Sequence, residues 1–303
     1  MTVLLALQLL AALLSLAWVA VAVAAFQAMR AARWLAEGPL VAPGTWPRLS
    51  VIVAARDEAD TLEAALETLR AATYPALELI LVDDRSEDAT GALMDRLAAA
   101  DPRVRAVHVR ALPAGWLGKV HALEVGRAAA HGEWLLFTDA DVHFGPGCLE
   151  RAVALAMAER LDHLTLWPTM HARGLALRAS LVAFGISLLA MTRPHRVGRP
   201  GSRAFFGIGA FNLVRRAALE AGPGLAWLRM ELADDMAVSK LIVDHGGRSA
   251  WRVGRELLAL EWYPSLGALV RGLEKNSYGI FSRFSVPLFA LKLVGLLALQ
   301  AAP

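Results

Sequence analysis

The chain is poor in several features that would place a protein quickly. A single cysteine, Cys148, occurs in 303 residues, which excludes an intrachain disulfide and suits a reducing compartment, where a lone thiol serves as a small buried hydrophobe. Net charge is low as well: 31 Lys and Arg oppose 28 Asp and Glu, leaving +3. With no lysine-rich tract and no interleaving of basic and aromatic residues, nothing argues for a nucleic-acid partner. No G-x-G-x-x-G follows the first strand-like run and no G-x-x-x-x-G-K-[ST] occurs anywhere. The dinucleotide and P-loop readings therefore lose their main support. There is no internal repeat either.

What the chain has in plenty is apolar surface, at 56% hydrophobic residues. Its length allows one α/β domain of about 200 to 250 residues plus membrane segments. Val3 to Phe26 carry no charge, and as a helix they would reach about 36 Å, enough to cross a bilayer core. Ala-Val-Ala-Ala at residues 22 to 25 resembles a signal cleavage site, but the apolar run is too long and lacks a basic region before it. An uncleaved anchor is expected over residues 1–36. Arg30 and Arg33 come after the span and no Lys or Arg precedes it, which places the main domain in the cytoplasm, on the inner membrane.

Pro39, Pro43, Gly44 and Pro47 mark a linker over 37–47, and a folded domain is expected over 48–283. Strand-like runs at Leu49–Ala54, Leu77–Val82, Val104–Val109 and Glu133–Phe137 alternate with helical spacing at Glu58–Ala72, Ala89–Ala99 and Lys119–Ala130. This predicts an α/β fold with a mostly parallel sheet, whose ligands sit at the carboxyl ends of the strands. Later, Leu175–Met191 is apolar between arginines, suiting a helix at the membrane interface over about 175–192 or a core helix. Met236–Val243 has helical spacing behind Asp234 and Asp235. Apolar sequence resumes over 284–303, read as the start of a C-terminal membrane region.

The polar clusters fall where such a sheet binds ligands. Asp139 and Asp141 follow the fourth strand, and if extended geometry persisted they would share a face and suit a hard cation, Mg²⁺ or Mn²⁺; a turn or helix cap explains them equally well. Asp83 and Asp84 follow the second strand and could accept hydrogen bonds from a base or ribose, or cap the next helix with Ser86. Lys119 begins a helix, where the helix dipole disfavours a cation. A phosphate partner would relieve that misfit, and plain solvation would too. The glycines of Phe205–Asn212 permit close backbone approach to a ligand or a tight strand bend.

Taken in order, Val-Ile-Val-Ala-Ala-Arg-Asp-Glu (51–58), Val-Asp-Asp-Arg-Ser-Glu-Asp-Ala-Thr (82–90), Gly-Trp-Leu-Gly-Lys (115–119), Phe-Thr-Asp-Ala-Asp (137–141), Gly-Ala-Phe-Asn-Leu-Val-Arg-Arg (209–216) and Ala-Asp-Asp-Met-Ala (233–237) resemble the membrane-bound inverting glycosyltransferases of family two. These have a GT-A fold and include the ceramide glucosyltransferase-like and the hopanoid- and carotenoid-associated enzymes. The resemblance covers roughly Leu49 to Asn276. It implies a nucleotide-sugar donor, UDP- or GDP-linked, and a lipid acceptor at the bilayer. It also implies that Arg56 and Glu58 belong to the first nucleotide-binding loop and that Asp83 and Asp84 hold the nucleobase side. Asp139 and Asp141 would hold ribose, diphosphate and a divalent metal. Asp235 would be the general base and Asp234 a donor-binding residue, although Asp234 stands where many relatives have Glu and either of the two could point at the acceptor. The Q-x-x-R-W of processive synthases is missing, since the corresponding regions read Glu261-Trp-Tyr-Pro-Ser265 and Gly272-Leu-Glu-Lys-Asn276, so a single transfer is expected rather than polymerisation. The alternative is a membrane-anchored nucleotide-sugar-binding protein without transfer activity.

Overall fold

The computed structural model describes residues 2–37, 44–282 and 287. In chain order its elements are α1 (Thr2–Ala31), β1 (Leu49–Ala55), α2 (Ala59–Arg70), β2 (Leu77–Asp84), α3 (Thr90–Ala100), β3 (Val104–Val109), α4 (Gly118–Ala129) and β4 (Trp134–Thr138). There follow β5 (His143–Phe144), α5 (Cys148–Ala158), β6 (His163–Met170), α6 (Leu175–Thr192), β7 (Asn212–Arg215), α7 (Arg216–Glu220), α8 (Asp234–Asp244), β8 (Ser249–Leu260) and α9 (Leu266–Ser282). They divide into two compact units.

The larger unit, Ala32–His171 with Arg196–Trp262, is built on one eight-stranded sheet of order β3-β2-β1-β4-β7-β6-β8-β5. Every residue of β2 and β4 is buried, as strands covered on both faces must be. The alternation of side chains distributes them between two cores. Leu49, Val51 and Val53 of β1 and Leu79 and Leu81 of β2 point to one core with Leu62, Leu66 and Leu69 of α2 and Val153 of α5. Ile52, Ile80, Val82, Leu135 and Phe137 point to the other, with Val120 and Leu123 of α4 and Val238, Leu241 and Ile242 of α8.

The parallel pairing expected of the first four strands holds: β1 pairs in parallel with β2 and with β4, and β2 with β3. Beyond β4 the sheet is mixed. Strand β7 runs antiparallel to both β4 and β6, while β6 and β8 are parallel. Strand order reverses at β1, with β2 on one side and β4 on the other, so the ligand crevice of an open α/β sheet falls at the carboxyl ends of β1 and β4.

The smaller unit comprises Met1–Ala31, Ala172–His195 and the described part of Tyr263–Pro303. In it α1 packs on α6 and α6 on α9. Two stretches are long and apolar enough to cross a membrane by length and composition, Gln8–Ala31 at a mean hydropathy of 2.5 and Leu175–Arg196 at 1.8. The membrane region expected over 284–303 lies outside the described residues apart from Pro287.

Candidate active site

The carboxyl ends of β1, β2 and β4 bring together most of the residues singled out from the sequence. Strand β4 stops at Thr138, and Asp141 stands in a turn rather than in extended chain. The shared strand face expected of Asp139 and Asp141 is therefore absent. The turn keeps them near each other all the same: burial, and then the charge of Asp139, push the Asp141 carboxyl up to about 7. Glu58 adds to that push from the loop after β1. Two carboxylates whose charges strain one another are a donor set that a hard cation relieves. Among the described residues no cluster of three or more His, Cys, Asp or Glu forms an all-protein metal cage. The pair fits an ion that draws its other ligands from water and substrate phosphates.

Lys119, in the first turn of α4, meets carboxylates. Its Nζ lies 2.7 Å from Asp139 Oδ1 and 3.5 Å from Asp234 Oδ2. Burial works against the ammonium, yet Asp139, Asp234 and Asp235 outweigh it and hold its pKa above the ordinary lysine value. The unfavourable dipole at the helix start is offset in this way, and 43% of the side chain stays exposed toward solvent or a ligand.

Asp234 and Asp235 occupy the first turn of α8, and neither sits at the N-cap position, which is Ala233 with no side-chain cap bond. Asp235 Oδ2 instead accepts the backbone N–H of Gly209 at 3.0 Å, and Oδ1 that of Met236 at 2.7 Å. Burial, then the neighbouring Asp234, push its carboxyl up to about 7, with Lys119 and the Met236 N–H pulling the other way. Asp234 is also raised, chiefly by burial.

The glycine-rich segment before β7 lies between these groups. A Cβ on Gly209 would stand 2.5 Å from Asp139 Oδ2, and one on Gly207 would collide with the backbone carbonyl of Asp235. Only glycine lets the chain pass between the two acidic centres.

On the other side of the crevice the loops after β1 and β2 are sewn together. Asp57 N–H donates to Ser86 Oγ, Glu87 N–H to Asp57 Oδ1, and Glu58 N–H to Thr90 Oγ1. Asp57 and Arg85 adopt positive φ, 56° and 60°. Arg56 is half-exposed beside Asp57, and the Glu58 carboxylate accepts the Thr61 hydroxyl. Asp83 closes a local turn through Ser86 N–H at 2.9 Å and faces His108 at 3.0 Å. Burial disfavours its charge, but those hydrogen bonds win and lower its pKa. Asp84 is gripped by Arg85 through both oxygens, at 2.8 and 3.1 Å. Neither acid caps α3, whose N-cap is Ala89. His108 carries no signal in the sequence because it alternates regularly within β3; only its pairing with Asp83 and Asp95 reveals it.

An open α/β sheet gathers these acidic loops at its switch point, where folds of this kind bind their ligands. Residues 50–222, more than half of the chain, match the model of "Glycosyl transferase family 2", and the protein belongs to that family. It is 38% identical over 116 residues to the succinoglycan biosynthesis protein ExoO of Rhizobium meliloti, covering 38% of this chain and 30% of that one. To the beta-monoglucosyldiacylglycerol synthase of Synechocystis it is 26% identical over 211 residues, covering 69% of this chain and 42% of the relative. The chain thus spans less than half the length of these curated relatives. The mannosyltransferase PcManGT from Pyrobaculum calidifontis, solved in complex with GDP-Man and Mn²⁺, shares the fold. It superposes with a TM-score of 0.65 at 22% identity, over 98% of this chain and 82% of that one.

Proposed function

We propose that this protein moves one sugar from a nucleotide-diphosphate donor to a hydroxyl of a membrane lipid, inverting the anomeric centre, at the cytoplasmic face of the membrane. The observation that carries this reading is the separation of labour among the acids. Asp139 is tied to Lys119 at the end of β4, whereas Asp235 is held by backbone amides and keeps a carboxyl near 7. A base poised near the working pH is what proton removal needs.

In the proposed reaction the acceptor oxygen forms its bond to the anomeric carbon as its proton passes to Asp235. The bond from that carbon to the phosphate oxygen breaks, and the nucleoside diphosphate leaves with the electron pair. Asp83, Asp84, Arg56 and Glu58 hold the nucleoside side of the donor, and Lys119 faces its diphosphate. Asp139 and Asp141 would hold Mg²⁺ or Mn²⁺, which when bound neutralises charge on the departing diphosphate. The 3.5 Å contact of Asp234 with Lys119 supports Asp235 rather than Asp234 as the base.

Support for a lipid acceptor comes from the two long apolar helical stretches, from the Synechocystis relative, named for glycolipid synthesis, and from the missing Q-x-x-R-W. Membranes containing the protein, incubated with a panel of labelled nucleotide sugars, should yield labelled extractable lipid that disappears on chelation of divalent ions. Donor binding with no labelled lipid from any of them would point instead to a binding protein without transfer.

A further inference from the structure

Behind Gly207 and Gly209 lies a buried polar chain that the reaction scheme leaves unused. His163 of β6 is fully buried; one ring nitrogen, Nδ1, meets Ser249 Oγ at 2.8 Å, and the other, Nε2, meets Asn212 Oδ1 at 2.9 Å. The Asn212 amide Nδ2 donates to the carbonyl of Ile208 at 2.9 Å. Ser249 Oγ lies 3.3 Å from Ser239 Oγ, which accepts the backbone N–H of Phe206 at 3.1 Å.

The proton positions in this chain are set by its two ends. Phe206 N–H can only donate and Ile208 C=O can only accept. Asn212 must offer its NH₂ to Ile208, so its oxygen faces His163, whose Nε2 carries the proton. His163 Nδ1 is then an acceptor, Ser249 donates to it, and Ser239 donates to Ser249. All the groups point the same way around a loop that starts and finishes on residues 206 to 208. Burial keeps the ring neutral, with its pKa lowered to about 4. A third strut, from Ile208 N–H to Thr165 Oγ1 at 3.1 Å, continues from Thr165 to the carbonyl of Phe211 at 2.8 Å. The segment fixed on three sides carries the amide that holds Asp235.

We propose that His163 and Asn212 are positioning residues for the transfer reaction: through the Phe206–Gly209 segment they set the orientation of the Asp235 carboxylate without touching substrate. The proposal rests on Asp235 being the base. Its physical content is that a catalytic hydrogen bond displaced by ~1 Å can cost on the order of 10²-fold in rate while substrate binding is untouched. In the positioning account, cutting the chain loosens one loop and slows one step.

The test uses the full chain in detergent or vesicles, with Ser249→Ala and Asn212→Ala. Ser249→Ala removes one hydroxyl from the middle of the chain and is the variant chosen to fold if Asn212→Ala does not. Hydrogen exchange is expected to quicken at least ~10-fold in the peptide spanning Phe205–Asn212 and to stay unchanged over β1 and β2. With UDP-glucose and GDP-mannose as donor probes and diacylglycerol vesicles as acceptor probe, kcat should fall about 3-fold for Ser249→Ala and at least ~10-fold for Asn212→Ala. The donor KM should stay within ~2-fold. In an Asp235→Asn background either substitution should change the residual rate by less than ~2-fold, because the group it positions is already gone. Unchanged exchange, an unchanged kcat, or losses that multiply with Asp235→Asn would each overturn the positioning role. A full-rate Asp235→Asn enzyme would instead remove the base assignment, and the positioning role with it. A crippled Asp235→Asn beside a full-rate Asn212→Ala would remove the positioning role alone.

Discussion

Lys119 shows how one side chain can act on several others. It touches Asp139 and Asp234 directly, and its charge also opposes the rise in the Asp235 pKa. Since the proposed base must be ionised, turnover should rise with pH through a midpoint near 7. Removing the cation takes away a pull toward the charged form, so Lys119→Ala should move that acidic limb upward by about one unit. A pH profile of kcat at saturating donor checks this, and an unmoved limb would mean that Lys119 does not act on the base. The second carboxylate of the turn after β4 makes a separate prediction. Asp141→Ala removes a proposed metal ligand and should abolish divalent-dependent donor binding while the fold survives, because the diphosphate charge is left uncompensated. Calorimetry of nucleotide titrations with and without Mn²⁺ measures it; binding as tight as the parent's would free Asp141 of that role.

Among the elements, the segment from Phe205 to Asn212 carries the most consequence for its length. Gly207→Ala would drive a methyl group into the Asp235 carbonyl at the start of α8, and overpacking of that kind costs about 1–3 kcal/mol. Thermal unfolding should report the loss, together with a turnover defect larger than stability alone explains; parent-like values of both would contradict the close approach. The sequence makes this segment visible as a possible bend, and it makes the first half of the sheet plain. Strands β1 to β4 are apolar runs with few interruptions, and the run Val104–Val109 matches β3 to the residue. Strands β6 and β8 are hidden for physical reasons. Pro168 sits at a break in the β6 register, and β8 carries Gly254 and an Arg255 at φ 49°, so neither reads as a clean run. His163 and Asn212 are illegible because their meaning is a proton order among distant elements, which spacing along the chain cannot show. The acids at 139, 141, 234 and 235 are readable because charge is conspicuous in so apolar a chain. Their partners are not, since Lys119 and Gly209 reach them only through the fold.

At the scale of the molecule, an α/β unit and a helical unit with two long apolar stretches share one chain. Membrane orientation has its own test. Cys148 is buried in α5 and its thiol pKa is pushed up by that burial, so the parent should give no background with a thiol reagent. An exposed Arg199→Cys should stay unlabelled by an impermeant reagent in intact cells and react once they are opened, with the domain in the cytoplasm; labelling of intact cells would reverse the orientation. The central claim, transfer to lipid with Asp235 as base, is tested most directly by comparing the parent with Asp235→Asn in membranes supplied with the labelled donor. Asn keeps one oxygen, enough to accept from either the Gly209 or the Met236 N–H but not both, so donor binding should remain near normal, while label in the extracted lipid should fall at least the ~10²-fold expected for loss of a general base. Label within a few-fold of the parent's would contradict the account.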